Sequence, residues 1–310
     1  MNKVILIDSS GIFVPTVKVV NRIKQEKYNQ KNTHGFVLPA RVMYFNSLLS
    51  CLKKINLDKD DIVIIAGEGH SWRKNIYSPY KAQRQELRDN DKFVDWKHEF
   101  EQFNDLHRQL ELSTNWYFIR VNDGLEADDV IAIASRYFKN NETIIITGDK
   151  DLHQLSYYEN VKIFNINKKV FGSKGVYEKV INPLGIIESK IRLGDKGDNI
   201  IVYSTDDEND YLLRNTLVNL LELPEYIEKK GIEAIQEALS IKKELNLDLL
   251  PKFKNCKEKF LEIYNPKHKI TYEYCMNLLE KRDKKKKEKL KEKRELDKLK
   301  NKGDQNGSSV

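Results

Sequence analysis

Residues 142–151 read ETIIITGDKD. Three isoleucines, Ile144 to Ile146, sit between threonines, and a glycine and two aspartates follow. A short run rich in β-branched residues, closed by a turn signal, is the pattern of a strand buried on both faces. The same grammar occurs twice upstream, in KVILID at 3–8 and DIVIIAGEG at 61–69, and VKIFNI at 161–166 reads as a further strand. Helical patterns lie between them, over Val42 to Ile55 and Asp128 to Phe138. Residues 93–110 add an amphipathic helix, with Phe93, Trp96, Phe100, Phe103, Leu106 and Leu110 at three- and four-residue steps, a stripe best explained by packing. Strands alternating with helices predict an α/β fold, a mainly parallel sheet flanked by helices. Ligands of such sheets bind beyond the carboxyl ends of the strands, where the acids of these motifs fall.

The strand grammar covers residues 1–180. From 181 to 280 the pattern turns helical, with Leu212 to Leu221 and Ile232 to Leu239 as the clearest segments. Residues 281–310 form a lysine-rich tail with almost no apolar residues, expected to be a solvated helix or disordered. Within it, 281–300 hold twelve lysines and arginines against five acids, which accounts for the whole net charge of +7. The body of the chain is therefore electrically neutral, and any polyanion-binding surface on it must be a local patch. The apolar runs are too short to span a bilayer, and the N-terminal residues do not read as a secretory signal. Cys51, Cys256 and Cys275 are odd in number and scattered, which predicts a reduced, intracellular setting without thiolate zinc.

Four acidic clusters stand out: Asp8 in LIDSSG, Glu126, Asp128 and Asp129 in GLEADDVIA, Asp149 and Asp151 in TGDKD, and Asp195 and Asp198 in LGDKGDN. Taken singly, each has a structural account. Asp8 could cap a helix, Asp128 and Asp129 could favour a helix N-terminus, and Asp149 and Asp195 could be turn residues beside glycine. Four such clusters in one α/β chain fit those accounts poorly. Strand alternation would put Asp149 and Asp151 on one side. Converging carboxylates need cations, and oxygen-only sets suit Mg²⁺ or Mn²⁺, two of which can drive an in-line phosphodiester displacement.

The order LIDSSG, WRKNIYSPYKAQR, GLEADDVIA, TGDKDLHQL and LGDKGDNI resembles the 5′-nuclease (flap endonuclease) superfamily over residues 3 to about 200. The resemblance implies a PIN-like (resolvase-like) sheet with a C-terminal helical DNA-binding region. YYENVKIFNINKKVF and the divergent helical region are similar in character to the ribonuclease H of T-even bacteriophages. It further implies a two-metal phosphodiesterase using Mg²⁺, for which Mn²⁺ can substitute. Asp8, Glu126, Asp128 and Asp149 would hold one ion, and Asp151, Asp195 and Asp198 the other, with Asp129 orienting the group. The implied substrates are DNA with 5′ flaps or nicks and RNA–DNA hybrids, processed during replication beside a single-stranded-DNA-binding protein. A phage-encoded member would work in the host cytoplasm. A PIN-type ribonuclease is disfavoured by GDKGDN.

Arg73, Lys74, Lys81, Arg84 and Arg88 stand against one acid, Glu86, in the stretch 73–88. With Lys196 they are the expected phosphate-binding residues. The resemblance places Arg73 and Lys81 at the reacting phosphate, and Trp72 and Tyr80 could stack on bases or pack in the core. Two departures from the family pattern stand out. Ala66 occupies the position where the family has aspartate, with Glu68 the nearest acid, so the ion is expected to bind less well. A catalytically inactive, structure-specific DNA-binding protein of the same fold is the alternative. Beyond GDKGDN the chain continues IIVYSTDDENDY, acidic and free of the glycines by which the family grips duplex phosphates.

Overall fold

The computed structural model describes residues 2–29, 37–170, 173–202, 207–264 and 272–303. Six strands form one sheet in the order β3–β2–β1–β4–β5–β6. They are β1 (Val4–Asp8), β2 (Ile62–Ala66), β3 (Tyr117–Ile119), β4 (Thr143–Thr147), β5 (Val161–Val170) and β6 (Ser173–Glu178). β1 to β5 are parallel, and β6 closes one edge antiparallel to β5. The expected α/β sheet is therefore present, with β3 and β6 added to the four strands the sequence displays.

Every residue of β1 and β4 is buried, as a central parallel strand covered on both faces requires. Alternation sends Ile5, Ile7, Val63, Ile65, Ile144 and Ile146 to one face. There they meet α1 (Ser9–Asn29), α2 (Ala40–Lys54) and, beyond the short α3 (Arg73–Ile76) and α4 (Gln83–Asp89), the helix α5 (Trp96–Ser113). Val4, Leu6, Ile64, Ala66 and Ile145 point the other way, onto α6 (Ala127–Tyr137). Helix α5 starts three residues later than the aromatic stripe suggests, at an N-cap where Asp95 accepts from the His98 N–H. Phe93 is left out of the packing, 70% exposed.

The region after residue 181 contains α7 (Leu184–Leu193), α8 (Glu208–Val218), α9 (Glu225–Ser240), α10 (Cys256–Leu261) and α11 (Tyr272–Gly303). It packs into the cores of the sheet as well as onto itself. Ile227 and Ile235 of α9 join the α6 side, and Phe260, Ile263 and Leu279 join the opposite side. Ile187 and Ile191 of α7 and Leu217 and Val218 of α8 form a smaller cluster around Tyr80. The boundary near residue 180 is thus a change of element type and not a break in packing. Residues 280–292 of α11 are exposed, a solvated helix of the kind the tail composition permits. No helix among the described residues is long and apolar enough to cross a membrane.

Chain order places β2 and β3 on one side of β1, and β4 and β5 on the other. The connections change direction between β1 and β4, and a crevice opens there at the carboxyl ends. Asp8 and Thr147 close those two strands.

Candidate active site

Asp8 is the last residue of β1 and is 3% exposed. Its Oδ1 accepts from the Gly11 N–H and its Oδ2 from the Thr147 hydroxyl, both at 2.8 Å. Gly11 leaves the room for this: a Cβ there would stand 2.0 Å from Asp8 Oδ2. Burial, together with the charges of Asp149 and Glu68, raises the Asp8 pKa to about 6 against the hydrogen bonds that lower it.

Helix α6 delivers the next group from its first turn. Glu126 is the N-cap residue, and its N–H donates to Asp129 Oδ2 at 3.0 Å. Glu126 Oε2 accepts from Ser71 Oγ at 2.7 Å and Arg73 Nη1 at 2.9 Å, and Oε1 from Lys81 Nζ at 2.7 Å. Burial alone would push this carboxyl up, but Lys81 and Arg73 outweigh it and hold its pKa at about 2. Asp128 has no such compensation. Burial raises its pKa well above the usual range, and Asp149, Asp8 and Glu68 add to the rise while Lys81 opposes it.

Arg73 is placed differently from the expectation, while Asp129 lies where it can orient Glu126. Asp129 is fully buried, and accepts from the Trp72 indole N–H and from Arg73 Nη1, each at 3.1 Å. Its Oδ1 pairs with Arg73 Nη2 at 2.8 Å. These bonds make it the anchor of the Glu126 turn. Arg73 was expected on the phosphate strip, yet it is only 2% exposed. Its guanidinium is spent on Glu126 and Asp129, and its Nε donates to the Leu217 carbonyl at 2.8 Å. Trp72 and Tyr80 are likewise buried, which removes them as stacking platforms and supports the packing alternative.

A second group of acids gathers beside the first. Asp151, Asp195 and Asp198 each offer an oxygen, all within 4.8 Å of one another, the one set among the described residues close enough to share an ion. Asp149 and Asp151 do not lie on one strand face, because β4 ends at Thr147 and a 3₁₀ turn begins at Asp151. That turn brings Asp151 to Asp195, and Asp149 Oδ1 accepts from the Asp151 N–H at 2.9 Å. The GDKGDN loop is tied at its ends, with Asp195 N–H donating to the Ile200 carbonyl at 2.9 Å and Ile200 N–H to the Asp195 carbonyl at 2.8 Å. Lys190 of α7 bridges Asp151 and Asp195. Burial would raise the Asp195 pKa, but Lys190 and the loop N–H groups bring it below its ordinary value. Burial and the charge of Asp149 raise that of Asp151 in spite of Lys190.

Two residues connect the groups. The Tyr80 hydroxyl lies 3.3 Å from Glu126 Oε2 and 3.4 Å from Asp198 Oδ2. Lys81 Nζ, bonded to Glu126, is 4.0 Å from Asp198. The Lys81 backbone is left-handed, φ 54°, a conformation a lysine rarely adopts, and its N–H donates to the Asp198 carbonyl at 2.9 Å. Arg84 pairs with Asp198 at 2.5 Å while 45% of its side chain remains exposed at the rim. Lys74 and Lys196 are exposed, and Arg88 is half-buried over the Phe100 ring. The surviving cationic rim is therefore Lys74, Arg84, Arg88 and Lys196, with Lys81 between the acid groups. Thr147 and Tyr80 lie inside the TGDKD and WRKNIYSPYKAQR motifs without their types announcing these roles, and Lys190 lies outside the motifs, five residues before the first aspartate of GDKGDN.

The donor set is carboxylate oxygen throughout, crowded enough to raise pKa values, and lysines and arginines fill the gaps between acids. Such a site fits hard divalent cations.

Comparison with known proteins agrees. The family model described as "5′-3′ exonuclease, N-terminal resolvase-like domain" matches residues 3–181. The chain is 28% identical over 162 residues to a 5′-3′ exonuclease of Mycoplasmopsis pulmonis, covering 51% of this chain and 50% of that protein. It is 28% identical over 162 residues to flap endonuclease Xni of Shewanella denitrificans, covering 50% and 59%. The chain thus spans about half the length of these curated relatives. Among solved structures it resembles a bacteriophage T5 protein co-crystallized with metal ions, with TM-score 0.51 and 16% identity over 84% of this chain and 99% of that one. It also resembles the T5 flap endonuclease in a pseudo-enzyme–product complex with DNA and metal ions, with TM-score 0.52 and 16% identity over 85% and 99%. At that identity the likeness concerns the fold.

Proposed function

The chain belongs to the 5′-3′ exonuclease family, and from that premise we propose that it is a divalent-metal-dependent nuclease that removes nucleotides 5′ to 3′ and cuts 5′ flaps. The observation that carries the reading is the pairing of two carboxylate groups at the carboxyl ends of β1 and β4, joined by Tyr80 and Lys81. Asp151, Asp195 and Asp198 would hold one ion as they stand, and Asp8, Asp128, Asp149 and Glu126, more widely spaced, would draw together around another. Two Mg²⁺ ions, or Mn²⁺ in their place, would supply the activation of a water and the stabilisation of the leaving 3′ oxygen.

The protein's own groups position and neutralise. Lys81 is fixed by its backbone bond to Asp198, so its ammonium faces the crevice between the groups, where a scissile phosphate would lie. Arg84 at the rim would hold an adjacent phosphate, with Lys74, Arg88 and Lys196 extending the track. Arg73 and Asp129 hold Glu126 in register from behind. Lys190 keeps Asp151 and Asp195 together and would yield as an ion takes its place.

The substrates that suit this arrangement are 5′ flaps, nicked duplexes and RNA–DNA hybrids, consistent with primer removal in replication, beside a single-stranded-DNA-binding protein. The T-even ribonuclease H character of the sequence suits a phage-encoded enzyme working in a host cytoplasm. A second reading rests on Ala66: a protein that binds flaps but no longer cuts. A 5′-labelled flap incubated with Mg²⁺ and with Mn²⁺ tests the pair. Metal-dependent release of short 5′ products is expected, whereas tight binding with no product under either ion would establish the second reading.

A further inference from the structure

Asp8 has a hydroxyl beside it on one side and a methyl on the other. The register of β1 and β2 puts it opposite Ala66, which is fully buried. Ile64 and Ala66 face α6, and continued alternation would bring residue 68 to that same face. The chain beyond β2 does keep to the sheet's path. Gly67 N–H donates to the Ile119 carbonyl at 2.9 Å, and Gly69 N–H to the Leu125 carbonyl at 3.0 Å. A Cβ at Gly69 would lie 1.9 Å from the Val121 oxygen and 2.4 Å from that of Leu125, so only glycine permits so close a passage.

This passage delivers Glu68 to the first turn of α6. The Ala127 N–H lies 3.4 Å from Glu68 Oε2, and Ala127 sits between Glu126 and Asp128. The side chain as a whole is exposed. The carboxylate thus arrives at the turn that carries Glu126 and Asp128, two residues along the chain from the position opposite Asp8.

We propose that Glu68 supplies the carboxylate that Ala66 lacks, entering the Asp8–Asp128 group from two residues further along the strand. The extra methylene of glutamate gives reach that an aspartate at 68 would not have. The proposal rests on the metal-dependent reading above, but its test does not need cleavage.

Mn²⁺ binding to the full chain, measured calorimetrically without nucleic acid, should be compared for the wild type, Glu68→Gln, and the double variant Ala66→Asp/Glu68→Gln. Glu68→Gln is expected to weaken one class of site by about tenfold or more, and the double variant to regain most of it. Circular dichroism melts in EDTA check that Glu68→Gln folds, as an exposed position should. Unchanged Mn²⁺ affinity in Glu68→Gln overturns the proposal, and so does a double variant that binds no better than Glu68→Gln. Flap cleavage, read in parallel, separates the two claims. A wild type that binds Mn²⁺ through Glu68 and never cuts would sink the nuclease reading alone. Cutting with a Glu68→Gln affinity equal to wild type would sink this one alone.

Discussion

Substituting Asp8→Asn should make the metal-free protein more stable, although it removes a residue at the heart of the site. The carboxyl is 3% exposed and its pKa is raised from 3.8 to about 6. A raised carboxylate pKa means that ionisation is penalised in the folded state. The penalty is absent below pH 3.8, grows as pH rises through the interval, and is complete above about 6. A displacement of this size corresponds to about 3 kcal/mol at the limit. If local relaxation recovers half, about 1.5 kcal/mol remains, a rise in Tm of roughly 3 °C for a chain of this size. Asparagine keeps the shape and can still accept from the Gly11 N–H. The assay is thermal unfolding of both proteins in EDTA at acidic and at mildly alkaline pH, repeated with Mn²⁺. The variant should melt higher only on the alkaline side, and Mn²⁺ should reverse the order by stabilising the wild type more. A variant that melts below wild type in alkaline EDTA would refute the claim that crowded negative charge is stored here.

Arg73→Met leaves Glu126 and Asp129 buried without their cation, so unfolding in urea should show a loss of about 3–5 kcal/mol. Arg84→Ala, at the half-exposed rim, should change stability by less than about 1 kcal/mol while lowering flap affinity in a binding titration. Tyr80→Phe removes the hydroxyl between the acid groups. A loss of about 1 kcal/mol in stability is expected, and a fall in turnover larger than any change in flap binding. Removal of residues 281–310 should reduce DNA affinity chiefly at low salt, read as a shallower dependence of affinity on salt concentration.

The parts of the fold that the sequence displayed are those where one physical signal dominates. β1, β2 and β4 are covered on both faces, so their runs of isoleucine, valine and leucine needed no partner to be recognised. β3 is three residues long, too short for any periodicity, and β6 earns its place only by pairing with β5. α1 carries Pro15 in its interior, which masks a helix that packing nevertheless sustains. The acids were legible as types and spacings. Their grouping came from the family resemblance and not from spacing, since strand alternation put Asp149 and Asp151 on one side and β4 ends at Thr147 before either. Arg73 shows the same limit. A run of cations declares its charge in the sequence, but whether a guanidinium faces solvent or an internal carboxylate is settled by the fold around it. Glu68 was visible as an acid near Ala66, and what brings it to α6 is the close passage at Gly69.

The site is divided along the chain in a way that bears on its synthesis. Asp8, Glu126, Asp128, Asp149 and Asp151 emerge from a ribosome before residue 181, and Asp195 and Asp198 after it. Arg73 reaches further still, its Nε waiting for the carbonyl of Leu217. A nascent chain with a complete sheet therefore carries five of these seven acids and an arginine not yet satisfied. The helical segment does more than add surface for a ligand; its arrival is what completes the acid set and gives the buried arginine its last acceptor.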